Sequence, residues 1–269
     1  MDYLTQIKRE IKFNRRVIYS TLLDREVTVD FYLPVKITSG CRVLFLNDGQ
    51  DGELLHIAET LHKLCEKKKI KSLMIVAIHA NENRLQEYGT AHHPDYLKRG
   101  SMAADYTNFI IKELRSFIEN TFRTKLKAPQ CSIAGFSLGG LSALDIAWNH
   151  PELFSKVGVF SGSLWWRKRD LKHGYKDSDR IMHSIIRKSK TKRKLKFWIQ
   201  TGTLDETNDR NNNGVIDSID DSLDLIKELK AKGYKNKEDI CYVEVEGGEH
   251  NQFTWRKVFP EFLVWAFKK

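Results

Sequence analysis

Gly135-Phe136-Ser137-Leu138-Gly139 sets a serine between two glycines, after the apolar run Cys131-Ser132-Ile133-Ala134 and before Leu141-Ser142-Ala143-Leu144-Asp145-Ile146-Ala147-Trp148. The first run is short enough for a buried strand, and the second has apolar residues at helical spacing. A strand turning sharply into a helix would hold the Ser137 hydroxyl at the crest of the turn, as a nucleophile elbow does. The chemistry open to such a hydroxyl is attack on an acyl carbon, provided that a base takes its proton and N–H groups stabilise the resulting oxyanion. Glycines on both sides let strand and helix approach without Cβ clashes. The same turn aims the Leu138 amide, at the positive end of the helix, toward the oxyanion.

The base must be an imidazole, and a carboxylate must fix its tautomer, in the chain order serine, acid, histidine. Of nine histidines, His56, His62, His79, His92 and His93 precede Ser137 and His150 closes its helix, which leaves His173, His183 and His250. His250 sits in Gly247-Gly248-Glu249-His250-Asn251, a glycine-opened loop between the strand-like Cys241-Tyr242-Val243-Glu244-Val245-Glu246 and the last helical pattern. It is the expected base. His173 and His183 fall in a basic, polar stretch and read as solvated. The acid is expected after the strand-like Leu195-Lys196-Phe197-Trp198-Ile199-Gln200-Thr201, in the loop Gly202-Thr203-Leu204-Asp205-Glu206. Asp205 is the first choice, with Glu206 and Asp209 as alternatives. A second oxyanion donor is expected in Asn47-Asp48-Gly49-Gln50-Asp51-Gly52, after the strand Val43-Leu44-Phe45-Leu46, at the amide of Gln50.

These loops need a scaffold. Val27-Thr28-Val29-Asp30-Phe31-Tyr32-Leu33 alternates like a strand and stops at Pro34, which suits an antiparallel start. Leu73-Met74-Ile75-Val76-Ala77-Ile78 is apolar throughout, as expected of a strand covered on both faces. Helical patterns recur at about residues 54–67, 103–122, 138–149, 220–232 and 258–268. Strands and helices taking turns predict an α/β fold with a mostly parallel sheet and helices on both faces. At 269 residues and 41% hydrophobic, one domain over residues 1–269 is expected.

The net charge of +10 comes largely from runs such as Arg187-Lys188-Ser189-Lys190-Thr191-Lys192-Arg193-Lys194. Without interleaved aromatics or a nucleic-acid module, that run reads as a solvated face and no nucleic-acid partner is expected. No stretch has the roughly eighteen apolar residues of a membrane span, and residues 1–10 lack the apolar core of a signal peptide, so a cytoplasmic chain is expected. Cys41, Cys65, Cys131 and Cys241 are scattered without metal spacing and read as buried free thiols. The oligomeric state is left open.

With the elbow, the Asp-Gly loop and the Glu-His loop in view, the chain resembles the esterase D-like family of α/β-hydrolases, most of all its enterobactin esterase-like branch. The resemblance spans nearly the whole chain and adds Asn83-Arg84-Leu85-Gln86-Glu87-Tyr88 and the more selective Ser161-Gly162-Ser163-Leu164-Trp165-Trp166. It implies hydrolysis of a small-molecule carboxylic ester through an acyl-enzyme, with Ser137 as nucleophile, His250 as base, Asp205 as acid and no organic cofactor. In siderophore esterases the ester is a catecholate trilactone, whose aromatic, anionic arms suit Arg84, Trp165 and Trp166. The competing structural role has the tryptophans close the core and Arg84 pair with Glu87. The family also holds feruloyl and acetyl esterases, and a non-catalytic, ligand-binding member is the alternative from another class.

Asp209-Arg210-Asn211-Asn212-Asn213-Gly214-Val215-Ile216-Asp217-Ser218-Ile219-Asp220 has the spacing of an EF-hand loop. Asp209, Asn211, Asn213, the Val215 carbonyl, Asp217 and Asp220 would be the ligands of a structural calcium ion. Aspartate replaces glutamate at the twelfth position, which lowers the expected affinity. The alternative is an Asn/Asp-rich turn capping the helix that begins near Asp220.

Overall fold

The computed structural model describes residues 11–34, 37 and 40–268. The signal-peptide reading rests on residues 1–10, outside that range. The chain opens with β1 (Ile11–Ser20), β2 (Arg25–Pro34), β3 (Arg42–Asn47), α1 (Ile57–Glu66), β4 (Leu73–Ile78) and the short α2 (Arg84–Glu87). Next, α3 (Ala103–Asn108) runs through a π-helical turn, Phe109–Leu114, into α4 (Arg115–Thr121). Then come β5 (Cys131–Phe136), α5 (Leu138–Asn149), β6 (Lys156–Phe160), α6 (Ile181–Lys188), β7 (Lys196–Leu204), α7 (Asp217–Ala231), β8 (Ile240–Glu249) and α8 (Gln252–Phe267).

One eight-stranded sheet has the order β1-β2-β4-β3-β5-β6-β7-β8. β1 and β2 are antiparallel to their neighbours, and the rest are parallel. The two-residue period of the strands feeds a core on each face: Val43, Phe45, Ile133, Val157 and Val159 pack with α5 on one side, and Leu44, Leu46, Ala134 and Phe136 pack with α1 and α8 on the other. Covering both faces explains the uninterrupted apolar runs. The parallel strands point their carboxyl ends the same way, so the loops after β3, β5, β7 and β8 open at one edge. Among the described residues, no helix is long and apolar enough to cross a membrane.

Two expectations need correction. The last helix starts at Gln252, six positions before its expected start, because the Asn251 side chain accepts the Thr254 N–H at 3.0 Å and caps it. The basic stretch after His173 also contains a helix, α6, with Ile181, Met182 and Ile186 facing the core. His183 is therefore fully buried instead of solvated; its Nε2 donates to the Asp221 carbonyl at 2.8 Å, and burial lowers its pKa to about 3. Of the cysteines, Cys41 and Cys131 are buried, whereas Cys65 and Cys241 are only half-buried.

Candidate active site

Ser137 joins β5 to α5 at φ 54° and ψ −123°, a left-handed conformation that costs a non-glycine residue about 1–3 kcal/mol. The strain is held by the end of β6: Ser137 N–H donates to the Phe160 carbonyl at 2.8 Å, and its carbonyl accepts the Ser163 N–H at 3.1 Å. A Cβ at Gly135 would overlap the Gly139 carbonyl, and one at Gly139 would sit 2.5 Å from Asp48 Oδ2. Both glycines are thus fixed by close approach. The Ser137 hydroxyl lies 3.5 Å from that of Ser163.

A pocket of about 250 Å³ brings Ser137 together with His250, Gln50, Arg84, Gln252 and Trp255. Behind the imidazole, Asp205 Oδ1 stands 4.0 Å from His250 Nδ1. Asp205 is buried and held on both oxygens: Oδ2 accepts the Gly202 N–H at 3.0 Å and Oδ1 accepts the Ser161 hydroxyl at 3.0 Å. Ser161 Oγ in turn accepts the Trp255 indole N–H at 2.9 Å, and the Trp255 and His250 rings meet edge to face with centroids 5.3 Å apart. Ser161 and Trp255 were not foreseen as supports; the Ser-Gly-Ser run carried the only hint. Of the other candidate acids, Glu206 is bonded to Asn208, and Asp209 accepts the amides of Asn213 and Gly214.

The loop after β3 supplies the facing wall. Asp48 adopts φ 61°, which starts a short 3-10 turn, Gly49–Asp51. The amides of Gln50 in that turn and Leu138 at the head of α5 are first-turn donors, which lack partners within their own helices. Leu138 itself is buried. The loop is braced from three sides: Gln50 Oε1 accepts the Ala80 N–H at 3.0 Å, the Asp48 N–H meets Tyr88 Oη at 3.2 Å, and Asn47 Nδ2 donates to the Gly139 carbonyl at 2.8 Å. Gln252 of α8 donates to Asp51 Oδ2 at 2.9 Å, linking positions 201 apart in the chain.

Arg84 lies on the pocket wall, but its partner is Asp48, at 2.7 and 2.9 Å, while Glu87 takes Arg25 instead. The two tryptophans separate. Trp166 is fully buried against Gly89 and Gly100, where a Cβ would come within 2.8 and 2.9 Å of its ring. Trp166 is a core residue rather than a ligand contact. Trp166→Ala should cost about 3–5 kcal/mol, read as a fall in the denaturant midpoint. Trp165 is half-exposed and lines a different cavity.

The Asp/Asn loop is closed by its own hydrogen bonds. Asn211 and Asn213 turn their Nδ2 groups to Asp220 Oδ2 at 2.8 and 2.9 Å, and Asp217 Oδ1 accepts the Arg210 N–H at 2.9 Å with the guanidinium 3.2 Å away. Asp209, Asn211, Asn213, Asp217 and Asp220 share one loop, with Asn211 and Asn213 both meeting Asp220; among the described residues no cluster of three His, Cys, Asp or Glu side chains could by itself hold a metal ion. If the loop holds no structural ion, it should melt at the same temperature in millimolar calcium as in chelator. A calcium-dependent rise would mean that the ion displaces these bonds.

A profile of the Putative esterase family matches residues 20–266. The chain belongs to this family, whose membership supports carboxylic-ester hydrolysis as the reaction class. Among relatives, YjcH of Bacillus subtilis is 24% identical over 91% of this chain and 93% of its own length. YbbA of the same organism is 23% identical, covering 82% of this chain and 84% of its own. Among solved structures, the enterobactin esterase FES from Shigella flexneri superposes with TM-score 0.75 at 20% identity over 96% of this chain, which spans 59% of that protein. A ferulic acid esterase gives TM-score 0.72 at 16% identity, covering 96% of this chain and 97% of its own. These neighbours have the α/β-hydrolase fold.

Proposed function

We propose that the protein is a serine carboxylesterase acting through Ser137, His250 and Asp205, with aryl or siderophore-type lactone esters as its substrate class. The observation that carries the reading is the strained Ser137 sharing one pocket with His250, behind which Asp205 is the buried carboxylate. In this mechanism His250 Nε2 takes the Ser137 proton as Oγ attacks the ester carbonyl, and the Gln50 and Leu138 amides receive the oxyanion. The protonated imidazole then gives its proton to the leaving alkoxide. Water, deprotonated by the same imidazole, hydrolyses the acyl-serine. Asp205 holds the proton on Nδ1, which leaves Nε2 free to accept. The chemistry requires no organic cofactor.

The substrate class draws on FES, and on Arg84, a cation at the pocket wall. Mass spectrometry of a catecholate trilactone incubated with wild type and with Ser137→Ala tests it: ring-opened products from the wild type alone are expected. An intact trilactone would overturn the lactone reading, and turnover of feruloyl or acetyl carbohydrate esters would replace it. Failure of a fluorophosphonate to label Ser137 would overturn the serine mechanism itself.

The pH profile follows from the surroundings of His250. Its side chain is 39% exposed, yet loss of water around the ring lowers its pKa below the usual 6.5, Asp205 opposes the shift and Arg84 adds to it. The base must be neutral, so kcat/KM should rise with pH through an apparent pKa below 6.5 and then level. An acid limb centred above 7 would contradict this.

A further inference from the structure

The loop after β6, Ser161-Gly162-Ser163, touches both ends of the candidate triad. Ser161 donates its hydroxyl to Asp205 at one end, and Ser163 Oγ stands 3.5 Å from Ser137 Oγ at the other. The loop is rigidly placed. Ser161 sits at φ 44°, in the left-handed region, and its N–H donates to the Gln200 carbonyl at 2.8 Å. A Cβ at Gly162 would overlap Val159 Cγ1, so the backbone lies directly on β6. Ser163 is tied at both backbone groups, its N–H to the Ser137 carbonyl at 3.1 Å and its carbonyl to the N–H of the core residue Trp166 at 3.2 Å. Ser163 is 5% exposed, so its hydroxyl has little access to water, and among the described residues Ser137 Oγ is its hydrogen-bond partner. A separation of 3.5 Å is long for two hydroxyls, but catalytic hydrogen bonds that are long at rest tighten along the reaction.

We infer that Ser163 is a further catalytic residue, a hydrogen-bond donor to Ser137 Oγ that acts when this oxygen leaves the acyl carbon. The inference rests on the serine mechanism proposed above. At rest either hydroxyl can be the donor of the pair. Once Ser137 carries an acyl group its Oγ has no hydrogen, and the proton between the two oxygens can come from Ser163 alone. In deacylation, water gives a proton to His250 Nε2 as its oxygen bonds the acyl carbon. The tetrahedral intermediate then collapses: the bond from carbon to Oγ breaks, its electron pair stays on Oγ, and His250 returns the proton there. Ser163 keeps its own proton throughout. An ester oxygen is a poor acceptor and a departing alkoxide a strong one, so the donation from Ser163 strengthens as the bond breaks, which is the condition for lowering the barrier. Acylation by an ester with a good leaving group draws less on this donor, because its early transition state leaves little charge on Oγ.

Rapid mixing of full-length wild type and of Ser163→Ala with 4-nitrophenyl acetate separates the two half-reactions. Ser163→Ala is expected to release nitrophenolate in a stoichiometric burst at close to the wild-type acylation rate, and then to turn over about 10–100-fold more slowly than wild type. Peptide mass spectrometry of the quenched variant should find the acetyl group on Ser137. A steady-state rate equal to that of wild type would overturn the assignment, and so would burst and steady-state rates that fall by the same factor, as general damage to the elbow would produce. If Ser163→Ala fails to fold, Ser163→Cys, a weaker donor of similar size, takes its place with the same expectation. Fluorophosphonate labelling of Ser137 in both proteins separates the two readings: without it the serine mechanism itself falls, and with it the kinetic outcomes bear on Ser163 alone.

Discussion

Ser137→Ala is expected to lower kcat on an aryl ester by roughly 10⁶-fold, with the melting temperature almost unchanged. The substitution removes one oxygen from a half-exposed position and keeps the glycines that allow the elbow. His250→Ala should cost a similar factor, because a base with no nucleophile and a nucleophile with no base are equally idle. The double variant should then be scarcely worse than either single one, since groups that act as a unit are not additive. Residual hydrolysis would come from the amides of Gln50 and Leu138. A Ser137→Ala enzyme keeping a tenth of its activity would sink the mechanism.

Asp205→Asn should reduce kcat by about 10⁴-fold while leaving the fold intact. The reason lies in the partners of each oxygen. The Gly202 amide is a fixed donor to Oδ2, so an asparagine would place its oxygen there and its NH₂ where Oδ1 stands. The Ser161 hydroxyl can rotate to accept, but His250 Nδ1, 4.0 Å away, would face a donor instead of an acceptor. The ring would then favour the tautomer protonated on Nε2, which cannot take the serine proton. Full activity in Asp205→Asn would show that another carboxylate orients the imidazole.

Much of this was legible because it is local. The elbow needs two glycines within a few residues, and the chain spells them; the Asp-Gly loop and the Glu-His loop are likewise continuous. What stayed hidden depends on distant partners. Trp165 and Trp166 are neighbours of identical type, yet Gly89 and Gly100 make room for only one of them in the core. Arg84 had Glu87 on its own helix, but Arg25 on β2 occupies that carboxylate and leaves Asp48 for Arg84. His183 looked solvated because its basic neighbours dominate the composition, whereas its helix turns them outward and Ile181, Met182 and Ile186 inward. Within the calcium-like loop, the pairing of Arg210 with Asp217 likewise could not be read from the spacing.

The hydrogen bond from Gln252 to Asp51 joins positions 201 apart in the chain at the pocket. Such a contact closes a very long loop, and long-range closures are slow steps in folding. Helices and hairpins could form early, but the catalytic centre would come into being only when β8 and α8 dock beside the loop after β3. Recovery of hydrolysis during refolding should therefore lag the recovery of helical signal, which makes the reaction a timer for completion of the whole sheet.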